Sequence, residues 1–127
     1  MTSRRGLLLL AALALASAVV PAGAPAHSIL VRSHPSRGAT VARAPERIQL
    51  WFSERIEPAY AKLSVWNDAG TQVDASDAAV HPNDLTLLSV TTPHLGPGRY
   101  TARFRVLSVD GHVVESSFAF SVAATAR

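Results

Sequence analysis

The sequence predicts an all-β fold, an immunoglobulin-like antiparallel β-sandwich of about seven strands in Greek-key order. Three observations carry this. Beyond residue 26, apolar and polar residues alternate with a period of two, and no stretch sustains a 3.6-residue apolar repeat. The alternating segments are short and separated by clusters of Pro, Gly, Asn and Asp, which set or tolerate turn dihedrals. Of the 127 residues, the 101 that follow residue 26 are the size of one small domain.

Taken in order, the expected strands are Ser28 to Arg32, Ile48 to Phe52, Lys62 to Trp66, Thr71 to Asp74, Leu85 to Val90, Arg99 to Val106 and Phe118 to Val122. Ile48, Leu50 and Phe52 share a face against Arg47, Gln49 and Trp51. Tyr100, Ala102, Phe104 and Val106 do the same against Arg99, Thr101, Arg103 and Arg105, and Phe118, Phe120 and Val122 against Ser117, Ala119 and Ser121. Strand side chains point alternately to opposite faces, so in each case one face is core and the other solvent. Phe52, Phe104, Phe118 and Phe120 lead the core candidates. Between the strands lie turns such as His34-Pro35-Ser36-Arg37-Gly38, Asn67-Asp68-Ala69-Gly70, His81-Pro82-Asn83-Asp84 and Leu95-Gly96-Pro97-Gly98. The domain is expected over residues 27–122, with 123–127 a short tail.

Residues 1–26 differ in kind. Arg4 and Arg5 precede the apolar run Leu7 to Ala16, and Ala24-Pro25-Ala26 supplies small residues where a signal peptidase cuts. The segment reads as an export signal cleaved after Ala26; its strictly apolar core is shorter than the ~20 residues a membrane span needs. The Arg4-Arg5 pair also resembles a twin-arginine signal, but two adjacent arginines are common in ordinary n-regions, which is the reading kept. The mature chain is therefore expected outside the cytoplasm, in the periplasm or on the outer face of a single membrane, with no transmembrane segment of its own.

Composition removes several function classes. With no Cys there is no disulfide framework, thiolate metal site or cysteine nucleophile. The formal +3 of the whole chain falls to +1 once Arg4 and Arg5 leave, ten cations then standing against nine acids, so no nucleic-acid partner is expected. There is no phosphate-binding Gly-rich loop, no Gly-x-Ser-x-Gly elbow and no His pair at helical zinc-hydrolase spacing.

Two of the five histidines stand out. His27 becomes the first residue after cleavage, where its α-amine and imidazole form a bidentate chelate suited to Cu(II), which prefers nitrogen and oxygen donors in a tetragonal arrangement. Signal peptidases accept most residues after the cut, so the bland alternative is an ordinary first residue. His112 sits in Ser108-Val109-Asp110-Gly111-His112. On an extended backbone Asp110 and His112 project to one side; the alternative is an Asp-Gly hairpin turn with an exposed His. His34, His81 and His94 read as solvated loop residues.

Along nearly its whole length the mature chain resembles the periplasmic copper-resistance protein C (CopC) family of copper-binding β-sandwich domains. The resemblance rests on His27-Ser28-Ile29-Leu30, Ser33-His34-Pro35-Ser36-Arg37-Gly38-Ala39, Ala44-Pro45 and Ile48-Gln49-Leu50-Trp51-Phe52-Ser53-Glu54. It continues in Leu95-Gly96-Pro97-Gly98-Arg99-Tyr100, Val106-Leu107-Ser108-Val109-Asp110-Gly111-His112 and Ser117-Phe118-Ala119-Phe120-Ser121-Val122. It implies one Cu(II) per chain, held by the His27 amine and imidazole, the Asp110 carboxylate and the His112 imidazole, with Glu54 a weak or neighbouring ligand. The sequence departs from the family pattern in three ways: the mature chain has no Met for a Cu(I) thioether site, Phe104 stands where Trp is usual, and Val113 and Glu115 replace Pro and Gly.

The expected function is that of a monomeric exported Cu(II) carrier or buffer in copper resistance and homeostasis, not an enzyme, with the copper ion and an inner-membrane copper transport protein as its partners. Two rivals from other classes remain in view. An N-terminal His with a second His is also the copper brace of oxidative polysaccharide-cleaving enzymes, although Asp110 would fill a position such an enzyme keeps open. A metal-free immunoglobulin-like interaction module shares the architecture, which by itself decides no function.

Overall fold

The computed structural model describes residues 29–124, so the expected signal, residues 1–26, and His27 lie outside the described residues. Within them the chain forms eight strands: β1 (Leu30–His34), β2 (Thr40–Val41), β3 (Arg47–Phe52), β4 (Lys62–Asn67), β5 (Ala79–His81), β6 (Asp84–Thr91), β7 (Gly98–Leu107) and β8 (Val113–Val122). A single turn of 3-10 helix, Pro58–Tyr60, precedes β4. No helix among the described residues is long and apolar enough to cross a membrane.

The strands form two four-stranded sheets, ordered β1-β3-β6-β5 and β2-β8-β7-β4. This is the expected sandwich, and the sheet faces follow the alternation. Ile48, Leu50 and Phe52 of β3 are buried, as are Tyr100, Ala102, Phe104 and Val106 of β7 and Phe118, Phe120 and Val122 of β8. Phe52 from one sheet meets Phe104 from the other edge to face at 5.5 Å, the geometry that ring quadrupoles favour. Tyr100 stacks on Phe120 and donates its hydroxyl to the Gly96 carbonyl at 2.6 Å, so its one polar atom is satisfied.

Three details differ from the expectation. Thr71 to Asp74 is no strand: Gln72 makes one isolated bridge to Trp66, and the Asp74 carboxylate accepts the Val65 N–H at 2.8 Å, standing in for a backbone carbonyl. β8 is longer than expected, because its first half is held by backbone pairing to β7 from Leu107↔Val113 to Arg103↔Ser117. One pairing is parallel, β2 with β8. The chain passes from the first sheet to the second through the turn after β1, and the Gly38 N–H bonds the Ala119 carbonyl as β2 joins the edge of β8.

Candidate metal centre

β7 and β8 are joined by the five residues Ser108 to His112. The Ser108 N–H donates to the His112 carbonyl and the Gly111 N–H to the Ser108 carbonyl, both at 2.9 Å, which closes a tight hairpin loop. Gly111 has φ +92°, a conformation that costs an L residue strain and glycine little. The backbone therefore turns at Asp-Gly and is not extended. Even so, the turn brings the two side chains together: His112 Nδ1 lies 3.0 Å from Asp110 Oδ1.

Asp110 is held in place by more than this contact. Its Oδ1 accepts the hydroxyl proton of Ser108 and the His112 backbone N–H, the latter at 3.2 Å. Ser108 is buried at the end of the inward face of β7, so the carboxylate is tied to the core by a side chain that cannot easily move. Chiefly through the Ser108 hydroxyl, and then through His112, the carboxyl is held below its usual range, at about 2. A carboxylate whose pKa is lowered on folding adds stability above its ordinary value of 3.8, and that stability is lost as pH falls through about 2. Ser108→Ala is expected to move the Asp110 titration back toward 3.8; a carboxyl-carbon NMR titration that shows no change would mean that the hydroxyl is not what lowers it.

Around this hairpin the chain is stitched in a fixed order. The Val109 N–H donates to the Arg55 carbonyl at 3.1 Å and the Glu57 N–H to the Leu107 carbonyl at 2.8 Å. Two residues before Arg55, the Ser53 N–H donates to the Ile29 carbonyl at 2.8 Å, and the Ile29 N–H donates back to Ser53 Oγ at 2.9 Å. The start of β1, residues 53–57 and the hairpin thus occupy one end of the sandwich. Ile29, two residues after His27, enters the fold there.

Of the residues singled out in the sequence, Asp110 and His112 are in contact, His27 lies outside the described residues, and Glu54 is half-buried between Ser53 and Arg55. No group of three or more His, Asp or Glu that could hold a metal occurs among the described residues. His34, His81 and His94 are exposed, and His81 Nδ1 accepts the Asn83 N–H at 3.1 Å. Sequence reasoning missed Ser108. The signal was present, since Ser108 falls in phase with Tyr100, Ala102, Phe104 and Val106, a polar residue at the end of an inward-facing row.

Asp110 and His112 are both metal-ligating residue types. The 3.0 Å between His112 Nδ1 and Asp110 Oδ1 is a hydrogen-bond distance. The pair presents one imidazole and one carboxylate at an open edge, with the His112 side chain half-exposed.

Comparison with known proteins identifies the domain. The model of the CopC domain matches residues 30–123. Copper resistance protein C of Xanthomonas campestris pv. juglandis is 34% identical over 113 residues, 84% of this chain and 88% of that protein. Protein YobA of Escherichia coli strain K12 is 33% identical over 98 residues, 76% of this chain and 79% of that protein. The crystal structure of CopC from Methylosinus trichosporium OB3b superposes with a TM-score of 0.74 at 36% identity, covering 80% of this chain and 98% of that one. The described sandwich is that of a copper-resistance protein family, and the chain belongs to the CopC family.

Proposed function

We propose that the chain is an exported copper carrier that binds one Cu(II) ion through the amine and imidazole of His27, the Asp110 carboxylate and the His112 imidazole. The observation that carries this reading is the Asp110–His112 pair, 3.0 Å apart, at the end of the sandwich where Ile29 enters. Two chain residues reach at most about 7 Å, so removal of residues 1–26 would leave His27 as a free N-terminus tethered close to that end. Two nitrogens from His27, one from His112 and one carboxylate oxygen make a four-donor set of the hardness and number that Cu(II) takes. Glu54, on the segment between Ile29 and Arg55, is proposed as a neighbouring carboxylate and not as one of the four.

A carrier is favoured over an oxidative enzyme because Asp110 would supply the fourth donor, whereas catalytic metals keep a position open. Location in the periplasm and transfer to or from a copper transport protein at the inner membrane belong to the same reading, as does a monomeric state. The test is a titration of the chain beginning at His27 with Cu(II). Expected is a visible d–d band that saturates at one equivalent and fades on acidification, as protons compete for the nitrogen donors. No band, or saturation without involvement of His112 in His112→Ala, would overturn the proposal.

A further inference from the structure

The outer face of the second sheet carries a charge pattern that the metal centre does not use. Backbone pairing sets Lys62 beside Arg105 and Ser64 beside Arg103 on β4 and β7, and Glu115, Ser117, Ala119 and Ser121 of β8 beside Arg105, Arg103, Thr101 and Arg99. Because partners across a sheet share a face, Lys62, Arg99, Arg103 and Arg105 all point away from the core, and all four are exposed. Arg37, from the turn after β1, lines the same face beside Arg99 and Thr101. Glu115, 3.8 Å from Arg105, is the one acid among these outward residues. A chain of net charge +1 after residue 26 thus places half of its ten cations on one face and leaves the remainder acidic.

We propose that this face docks on an anionic phospholipid surface, with Lys62, Arg99, Arg103 and Arg105 against the headgroup phosphates and Trp66 at headgroup level. Charge complementarity is the first reason: Arg99 and Arg105 lie six residues apart on one strand, so the cations form a stripe about 20 Å long, and basic side chains are drawn to anionic headgroups. Composition is the second. Specific protein interfaces have an apolar core, whereas the middle of this face, where Arg99 to Arg105 pair with Glu115 to Ser121, is charged, hydroxyl-bearing or small. Its large apolar side chains stand apart, Trp66 beside Thr101 and Leu107 with Val113 at the hairpin end. Of the large exposed apolar side chains, Ile29 and Val31 stand elsewhere and Val109 is in the hairpin, while Tyr60 and Val113 flank Lys62 and Arg105 at the hairpin end of this face. Trp66 is itself fitted to a polar boundary. It is half-buried, its indole N–H donates to Ser64 Oγ at 2.9 Å, and the Arg103 guanidinium lies 5.2 Å from its ring.

The orientation is compatible with the metal centre. β7 runs along this face from Gly98 and ends at the hairpin, so a protein resting on the stripe keeps Asp110 and His112 at the rim of the contact. Docking needs no copper, and its failure would leave the copper reading untouched.

The experiment is co-sedimentation of the metal-free processed chain, whose sandwich is complete within residues 29–124, with vesicles of phosphatidylglycerol and phosphatidylcholine or of phosphatidylcholine alone. Expected is binding to the anionic vesicles only, lost near 1 M salt, where the screening length falls to about 3 Å. Arg99→Gln/Arg103→Gln/Arg105→Gln should weaken it on the order of a hundredfold, while the corresponding Lys variants retain it. Unchanged binding by the Gln variant, salt-independent binding, or retention by soluble polyglutamate without partition into vesicles would overturn the proposal. The salt dependence of the native chain needs no variant, so a misfolded mutant cannot shield it.

Discussion

One extra residue left in front of His27 is expected to weaken Cu(II) binding by roughly two orders of magnitude or more. The extension changes neither the sandwich nor the Asp110–His112 pair. It converts the α-amine into a peptide nitrogen and breaks the chelate ring that this amine forms with its own imidazole. Two donors from one residue bind with the ordering cost of one, so a peptide-bonded His27 would compete as a lone imidazole. At about 1.4 kcal/mol per tenfold, a hundredfold loss is under 3 kcal/mol, modest for a metal–nitrogen bond and its ring. His27→Ala, which keeps the amine and loses the imidazole, should fall in the same range. Competition against a chromophoric chelator, with the N-terminus of each sample fixed by mass spectrometry, measures both. Equal affinity in the extended and processed chains would place the copper elsewhere. Export and metal binding are coupled in this reading, for cleavage of the signal makes one of the ligands.

The same site shows what is legible in a chain of this kind. β3, β7 and the second half of β8 can be read directly because the contrast between their faces is large: Ile48, Leu50 and Ala102 are fully buried, and Phe52, Phe104 and Phe118 nearly so. β2 and β5, two and three residues long, are too short to display a period. The first half of β8, Val113 to Ser117, has no apolar alternation after Val114 and is a strand because β7 lies beside it; the information is in the partner. Thr71 to Asp74 fails for the opposite reason, since a suitable composition is overridden when the Asp74 carboxylate takes Val65's N–H.

For the candidate metal centre, Asp110 and His112 are close in sequence, and either backbone form brings them together. The residue that fixes Asp110, Ser108, is in phase with the inward row of β7, but spacing along the chain does not show that its hydroxyl meets the Asp110 carboxylate. The convergence of Ile29, Ser53, Arg55 and Val109 is tertiary. It depends on how an edge strand, a bend after β3 and a distant hairpin share one end of the sandwich, which spacing along the chain does not encode.

Phe104→Ala should cost about 3–5 kcal/mol of stability, a large part of the 5–15 kcal/mol typical of a whole domain. Phe104 is 3% exposed, pairs with Leu63 across β4, and is the ring that meets Phe52 across the two sheets. No disulfide exists to hold the faces together when that ring is lost. Chemical denaturation should show the midpoint falling with little change in slope; a loss below about 1 kcal/mol would mean that the sheets close over the gap. The two predictions also meet by linkage, because a ligand that binds only the folded chain stabilises it by about 2.7 kcal/mol at a hundred times its dissociation constant. Cu(II) should therefore restore most of the stability lost in Phe104→Ala when the chain begins at His27, and little of it when one residue precedes His27. That pair of melts separates a copper site built on the N-terminus from copper taken up by scattered surface histidines, which would rescue both chains alike.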